Sequence, residues 1–271
     1  MVATTAHTLD VKRWDWRAIL FAILAGAAAL LYMTAAGFLL APWKPVGDGV
    51  VQDLDLHRWH IAVTGALTGL FFGAGIMPAL LWRPRAKPLL VQYCAVAALL
   101  GVLINAPFVG PFVVVIGLPI ALLVAAYPAP GALREFSREG PFSRPLLALS
   151  LAAAILLAPV WWHSVAWQIQ GVGGEQATTN QWIADFEHTL LLVLAGLAAS
   201  TKRPGWRVLG ILTGITFLYL GVAALLLPTH PGSWGTTGGV LALLGGAGYL
   251  SATLWEASRT ARAPEGGAVR E

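Results

Sequence analysis

Charge is scarce in this chain. Asp, Glu, Lys and Arg together make up 11% of its 271 residues, against about 25% in an ordinary soluble domain. Hydrophobic types reach 57%, so too little polar surface remains to cover a water-soluble globule. Cysteine is almost absent. The lone Cys94 excludes an intrachain disulfide and leaves the redox compartment unread. Familiar catalytic signatures are missing as well: there is no HExxH, no GxSxG, no pair of Asp-rich boxes and no three-box His array, so the pattern points away from an enzyme. The GGAG at Gly245–Gly248 lacks the Lys and Ser/Thr of a phosphate-binding loop and follows no strand.

What the chain has instead is long apolar runs. They predict an all-α polytopic membrane protein, a single bundle over 1–271 with eight transmembrane helices. The spans are read as Ala18–Leu40, His57–Trp82, Leu89–Ile104, Phe112–Tyr127, Leu146–Trp167, Trp182–Ser200, Val208–Leu227 and Gly238–Trp255. The first run is longer than a signal-peptide core and is expected to be a retained span. A pI near 9.5 would suit nucleic acid, but the location of the charge excludes that partner. With these spans, 15 of the 17 Lys and Arg fall on one side. That bias sets the cytoplasmic face. It places both termini, 1–17 and 256–271, and the loop 128–145 in the cytoplasm of a cell-membrane protein. The two halves, 18–127 and 146–255, echo each other. Each has a long outer loop with acids, then a span carrying His, then a short inner turn with Arg and Pro (Trp82–Pro88 and Lys202–Arg207). This predicts a four-plus-four duplication in parallel orientation.

Two spans carry most of the information. In the second, Gly65, Gly69 and Gly73 recur at a four-residue interval beside His60, Thr64 and Thr68. The Gly row predicts close helix packing, as do Gly210 and Gly214 later. In the sixth, the uninterrupted apolar run Leu190–Ala199 is too short to span, and Thr201, Lys202, Arg203 and Pro204 stop it. The helix must extend backwards and take Asp185, Glu187 and His188 into the outer part of the membrane. Ionisable groups there face protein, pair, or hold something. Asp185 and His188 share a helix face, and Glu187 points about 100° away from His188. Five histidines, His57, His60, His163, His188 and His230, map to the outer side. His60, His163 and His188 with Asp185 or Glu187, and His57 beside them, form a candidate ligand set for copper or another transition metal. Two of the His would also suit a haem. The Trp residues at span ends, including Trp59, Trp182 and Trp234, read as interfacial belts.

The segment ADFEHTLLLVLAGL resembles the HxxEHxxxLxxGLLxW pattern of the membrane-bound cytochrome c oxidase assembly family (CtaG-like). Glu187 and His188 match its EH and Gly196 its Gly, and the His-bearing second span is similar in place to that family's HxxxH. Ala184 stands where the pattern has its first His, His57 and His60 are three apart, and Ala198–Ala199 stand at the aromatic ending. The resemblance implies copper handling and a respiratory oxidase as partner. Two other readings stay open on the residues: a small-solute or ion transporter using the Glu/His pair as a proton relay, and a structural subunit of a membrane complex.

Overall fold

The computed structural model describes residues 15–43, 52–110, 113–135 and 137–262. The expected N-terminal segment with Lys12 and Arg13, the outer-loop acid Asp48, the turn residue Pro111 and the tail with Arg270 lie outside them. Among the described residues there is no strand. Seven helical stretches among the described residues are long and apolar enough to cross a bilayer: Trp16–Trp43, His57–Leu81, Pro88–Val109, Arg144–Gln170, Gln181–Ser200, Trp206–Leu226 and Gly235–Arg259. The chain is a polytopic membrane protein.

Two of these stretches depart from α geometry side by side. The first is α1, Trp16–Met33, capped by Asp15, whose carboxylate accepts from the Ala18 amide. It continues as a 3₁₀ helix, Thr34–Trp43. The second is α2, Gln52–Thr64, which widens into a π-helix over Gly65–Ile76 and closes with α3, Met77–Leu81. The Gly row is where the two meet. A Cβ on Gly65 would sit 2.8 Å from the Leu39 backbone, on Gly69 2.9 Å from Ala36, and on Gly73 3.0 Å from Met33. Backbone on both sides cannot yield, so these positions need hydrogen in place of a side chain. Gly69→Val is therefore expected to destabilise the protein by about 1–3 kcal/mol, read by thermal unfolding in detergent. A loss within about 0.5 kcal/mol, the range of ordinary surface changes, would show that the row is not held this tightly.

The remaining long helices are α4 (Pro88–Val109), α5 (Val113–Ala125), α6 (Arg144–Gln170), α8 (Gln181–Ser200), α9 (Trp206–Leu226) and α10 (Gly235–Arg262), with the single turn α7 (Glu175–Thr178) before α8. Ser143 caps α6 by accepting from Leu146 N. Gly171 ends it in the left-handed region at φ 68°. Gly214 and Gly221 of α9 interleave with Gly246 and Gly239 of α10, each a Cβ's width from the facing backbone. Within the GGAG, Gly246 and Gly248 thus face packed neighbours, α9 and Leu149.

Of the expected fourth span, Phe112 lies outside the described residues; the rest forms the helix α5, whose 13 described residues rise about 20 Å against a hydrocarbon core of about 30 Å. It still returns the chain to the end it left, where the Tyr127 hydroxyl donates to Pro84 O at 3.0 Å. The basic connections gather at that same end. Leu89 N donates to Pro204 O, Glu139 N to Lys202 O and Ser143 N to Ser200 O. Arg85 pairs with Asp15, and Lys202 with Glu256. Lys87 donates to the carbonyls of Ala79 and Trp82. Burial, with Arg83 beside it, holds its ammonium below the usual lysine range. Asp15 and Glu256, near the two ends of the described chain, therefore sit at one end of the bundle, and the His230 turn with the ends of α2 and α8 that carry His57, His60 and His188 lies toward the other.

The helix neighbours follow a swapped pattern. The first span packs on the second as α6 packs on α8, and α4 pairs with α5 as α9 pairs with α10. The second span meets α9 as α8 meets α4. At the centre, α2 and α8 touch each other, and that contact carries the site.

Candidate functional site

The end of α8 away from the basic connections, its outer end relative to them, enters the bundle with its polar face inward, against α2. His60 and Asp185 meet there: Nδ1 and Oδ2 are 2.7 Å apart, with the side chains only 3% and 7% exposed. An ionised Asp185 accepts from Nδ1–H, which leaves Nε2 as the lone-pair nitrogen of the ring. Aromatic rings enclose the pair. Trp182 meets the His60 ring edge-on at 4.7 Å, and Trp167 meets Trp182 at 4.8 Å. The turn after α9 covers it from outside. Gly232, at φ 81°, lies where a Cβ would be 3.0 Å from Trp182, 3.2 Å from Trp59 and 3.3 Å from His60. No residue with a side chain fits between that turn and the imidazole.

One turn further out, His57 is also buried. Its Nδ1 lies 2.6 Å from Gln181 Oε1 and its Nε2 3.5 Å from the exposed carboxylate of Glu175. Arg58 donates to the carbonyls of Ala41 and Pro42, tying α2 to the end of the 3₁₀ segment. The outer end thus has a graded polarity, from exposed Glu175 through His57 to the enclosed His60–Asp185 pair.

One turn deeper, α8 presents Glu187 and His188 to a cavity of about 120 Å³. Its walls include Tyr32 at the end of α1, Thr68 and Phe72 on the π-helix, and Gly101 on α4. Glu187 accepts from the Asn105 side chain. Its Oε1 occupies the space that a Cβ on Gly101 would need, 2.8 Å away. Counting back from Ser200, Glu187 is about 20 Å of helix rise from the basic end of the bundle. The cavity therefore opens at membrane depth. Among the described residues, His60 Nε2, Asp185 Oδ1 and His188 Nδ1 are buried without a hydrogen-bond partner. Buried polar atoms are rarely left so, and these lie on two facing helices within about one turn of each other.

Of the residues singled out from sequence, His57, His60, Asp185, Glu187 and His188 gather on α2 and α8. His163 does not join them. It is exposed on α6, its Nδ1 against Pro159 O at 2.7 Å, with its ring near Trp167. His163→Ala is accordingly expected to change stability by less than about 0.5 kcal/mol. A larger loss in a melting experiment would mean that the residue has a partner in the membrane. No three His, Cys, Asp or Glu among the described residues converge as a metal shell.

The sequence reading missed the enclosing residues. Trp59 and Trp182, read as interfacial, are buried at 1% and 2% exposure, Trp182 against His60 and Trp59 against Trp234. Asn105, read as a turn residue, is on α4, which runs on to Val109. Gln181 and Glu175, assigned to a polar loop, are the partners of His57. The one available signal was spacing. Gln181 and Asp185 are four apart on one helix and His57 and His60 three apart on another, which suits two rungs between facing helices.

No protein-family model, curated protein or solved structure matches the chain.

Proposed function

We propose that this protein carries a small cation, such as ammonium, a protonated methylamine or an alkali ion, across a cell membrane, with Glu187 as its binding carboxylate. The observation that carries this is Glu187 itself: a carboxylate held by Asn105 on the wall of a cavity at membrane depth. Carboxylates at such depth belong to substrate and ion pathways far more often than to packing. The aromatic faces of Tyr32 and Phe72 and the Thr68 hydroxyl suit a cation in the same space. The volume of about 120 Å³ has room for only a handful of waters, which suits a small ion. Thr68 and Phe72 of the π segment also line the cavity, and irregular helices of this kind recur beside functional and transport sites. His188 is the proton partner of Glu187, and the enclosed His60–Asp185 pair is the closure on the outer side.

In this reading α5 completes an eighth traverse, the basic end is cytoplasmic by charge bias, and both termini are inside. The swapped helix pairing reflects a four-plus-four duplication, with α2 and α8 as the equivalent central elements.

The test is uptake into proteoliposomes of ammonium, methylammonium and the alkali cations, with and without an imposed pH gradient. The reading fails if the wild type moves none of them faster than protein-free vesicles, or if Glu187→Gln moves them as fast as the wild type.

A second reading keeps a metal. A carboxylate on Nδ1 and a free, buried Nε2 is how metal-binding imidazoles are oriented. With the CtaG-like EH segment, this supports copper or haem at His60 and His188 in oxidase assembly. Elemental analysis and an optical spectrum of protein purified without chelators test it; protein free of copper and haem ends it.

A further inference from the structure

A second cavity lies on the opposite flank, where α6 and α10 diverge. It has a volume of about 210 Å³. One wall is Leu149, Leu156 and Val160 of α6, and the other is Gly238, Ala242 and Gly245 of α10. The two helices close at the basic end, where the Tyr249 hydroxyl donates to Ser150 Oγ at 2.8 Å and Gly248 abuts Leu149. Trp234 borders the slot at the other end. The slot opens sideways among side chains that face outward: Ile155 is 72%, Leu156 54% and Leu244 66% exposed. In a membrane-spanning bundle that side is hydrocarbon.

The dimensions select the occupant. From Leu149 to Val160 and from Gly238 to Tyr249 the walls run 11 residue steps, about 16 Å of rise. Spread over that length, the volume open to the centre of a water-sized sphere averages about 13 Å², which is about 7 Å between walls once that sphere's radius of about 1.4 Å is added on each side. A helix, about 10–12 Å across, does not enter such a slot, so a second copy of the chain would reach it only with side chains. The apolar walls leave a charged solute without a partner. A single file of methylenes fits.

We propose that this slot is a binding site for one acyl chain of an outer-leaflet lipid, inserted between α6 and α10 with its headgroup at the level of Trp234. Indoles favour that level of the interface, and the closed basic end fixes the direction of entry. The inference is independent of the cation site, which lies on other faces of the bundle.

Gly245 supplies the test. A Cβ there meets nothing within 4 Å, and the same holds for Gly26 on α1, outside the slot. Gly245→Leu fills the slot without a clash, and Gly26→Leu is the matched control. Native mass spectrometry of protein extracted in mild detergent is expected to show one retained lipid on the wild type and on Gly26→Leu. On Gly245→Leu the bound fraction should fall by about tenfold, because the pocket that buries the chain is gone. Equal lipid retention in all three, detergent alone in the slot, or no retained lipid on the wild type would each overturn the assignment. So would a dimer that Gly245→Leu abolishes.

Discussion

Replacing Glu187 by Gln is expected to cut cation uptake by about tenfold or more, while the protein still elutes as a single folded species. The substitution keeps the shape and a hydrogen bond to Asn105, so packing against Gly101 survives and only the charge goes. A unit charge 4 Å from a cation contributes about 4 kcal/mol at the effective dielectric constant of a partly buried site. Tenfold corresponds to only about 1.4 kcal/mol, so even a strongly screened contact exceeds the threshold. Gly101→Ala should act in the same direction with a smaller effect, because its methyl would lie 2.8 Å from Glu187 Oε1 and push the carboxylate from its place. Uptake unchanged in both variants would remove Glu187 from the binding role.

The second large effect concerns stability. His60→Ala and Asp185→Ala each leave a buried polar or charged group without its partner, and each should cost about 3–5 kcal/mol. The double variant should cost less than the sum of the two, with a coupling of about 0.5–3 kcal/mol, since no stranded group remains. Chemical unfolding of the four proteins in one detergent measures this cycle. Additivity within the error of the method would mean that the 2.7 Å contact is not what holds α2 to α8. His57→Ala is the natural comparison. Its partners are the neutral, part-buried Gln181 and the exposed Glu175, so no buried charge is stranded and the cost is smaller.

The residues that were legible from sequence share one property: their meaning is carried by spacing along a single helix. The glycines at 65, 69 and 73 mark a close approach wherever the partner lies, and Asp185 and His188 share a face on any α-helix. What spacing cannot convey is which surface a helix turns toward. Trp59 and Trp182 have the same local sequence character as a lipid-anchoring indole, yet tertiary packing encloses both. Asn105 precedes Pro107, a pattern that reads as a turn, but Pro107 falls in the last turn of α4, and the chain bends only at Gly110. The π and 3₁₀ segments were equally hidden. The apolar run over 65–76 satisfies several helical periods at once, and it is the neighbouring backbone that selects among them.

Helix α5 has a mechanical corollary for the reading in which it makes an eighth traverse. Its 13 described residues rise about 20 Å against a hydrocarbon core of about 30 Å. Lipids beside such a traverse would tilt, compress or admit headgroups to greater depth. Ile120 of this helix lines the Glu187 cavity, so a thinned patch there would adjoin that cavity. Membrane thickness would then be a control variable: long-chain or sterol-rich bilayers would strain the protein at this flank, and thin ones would relieve it.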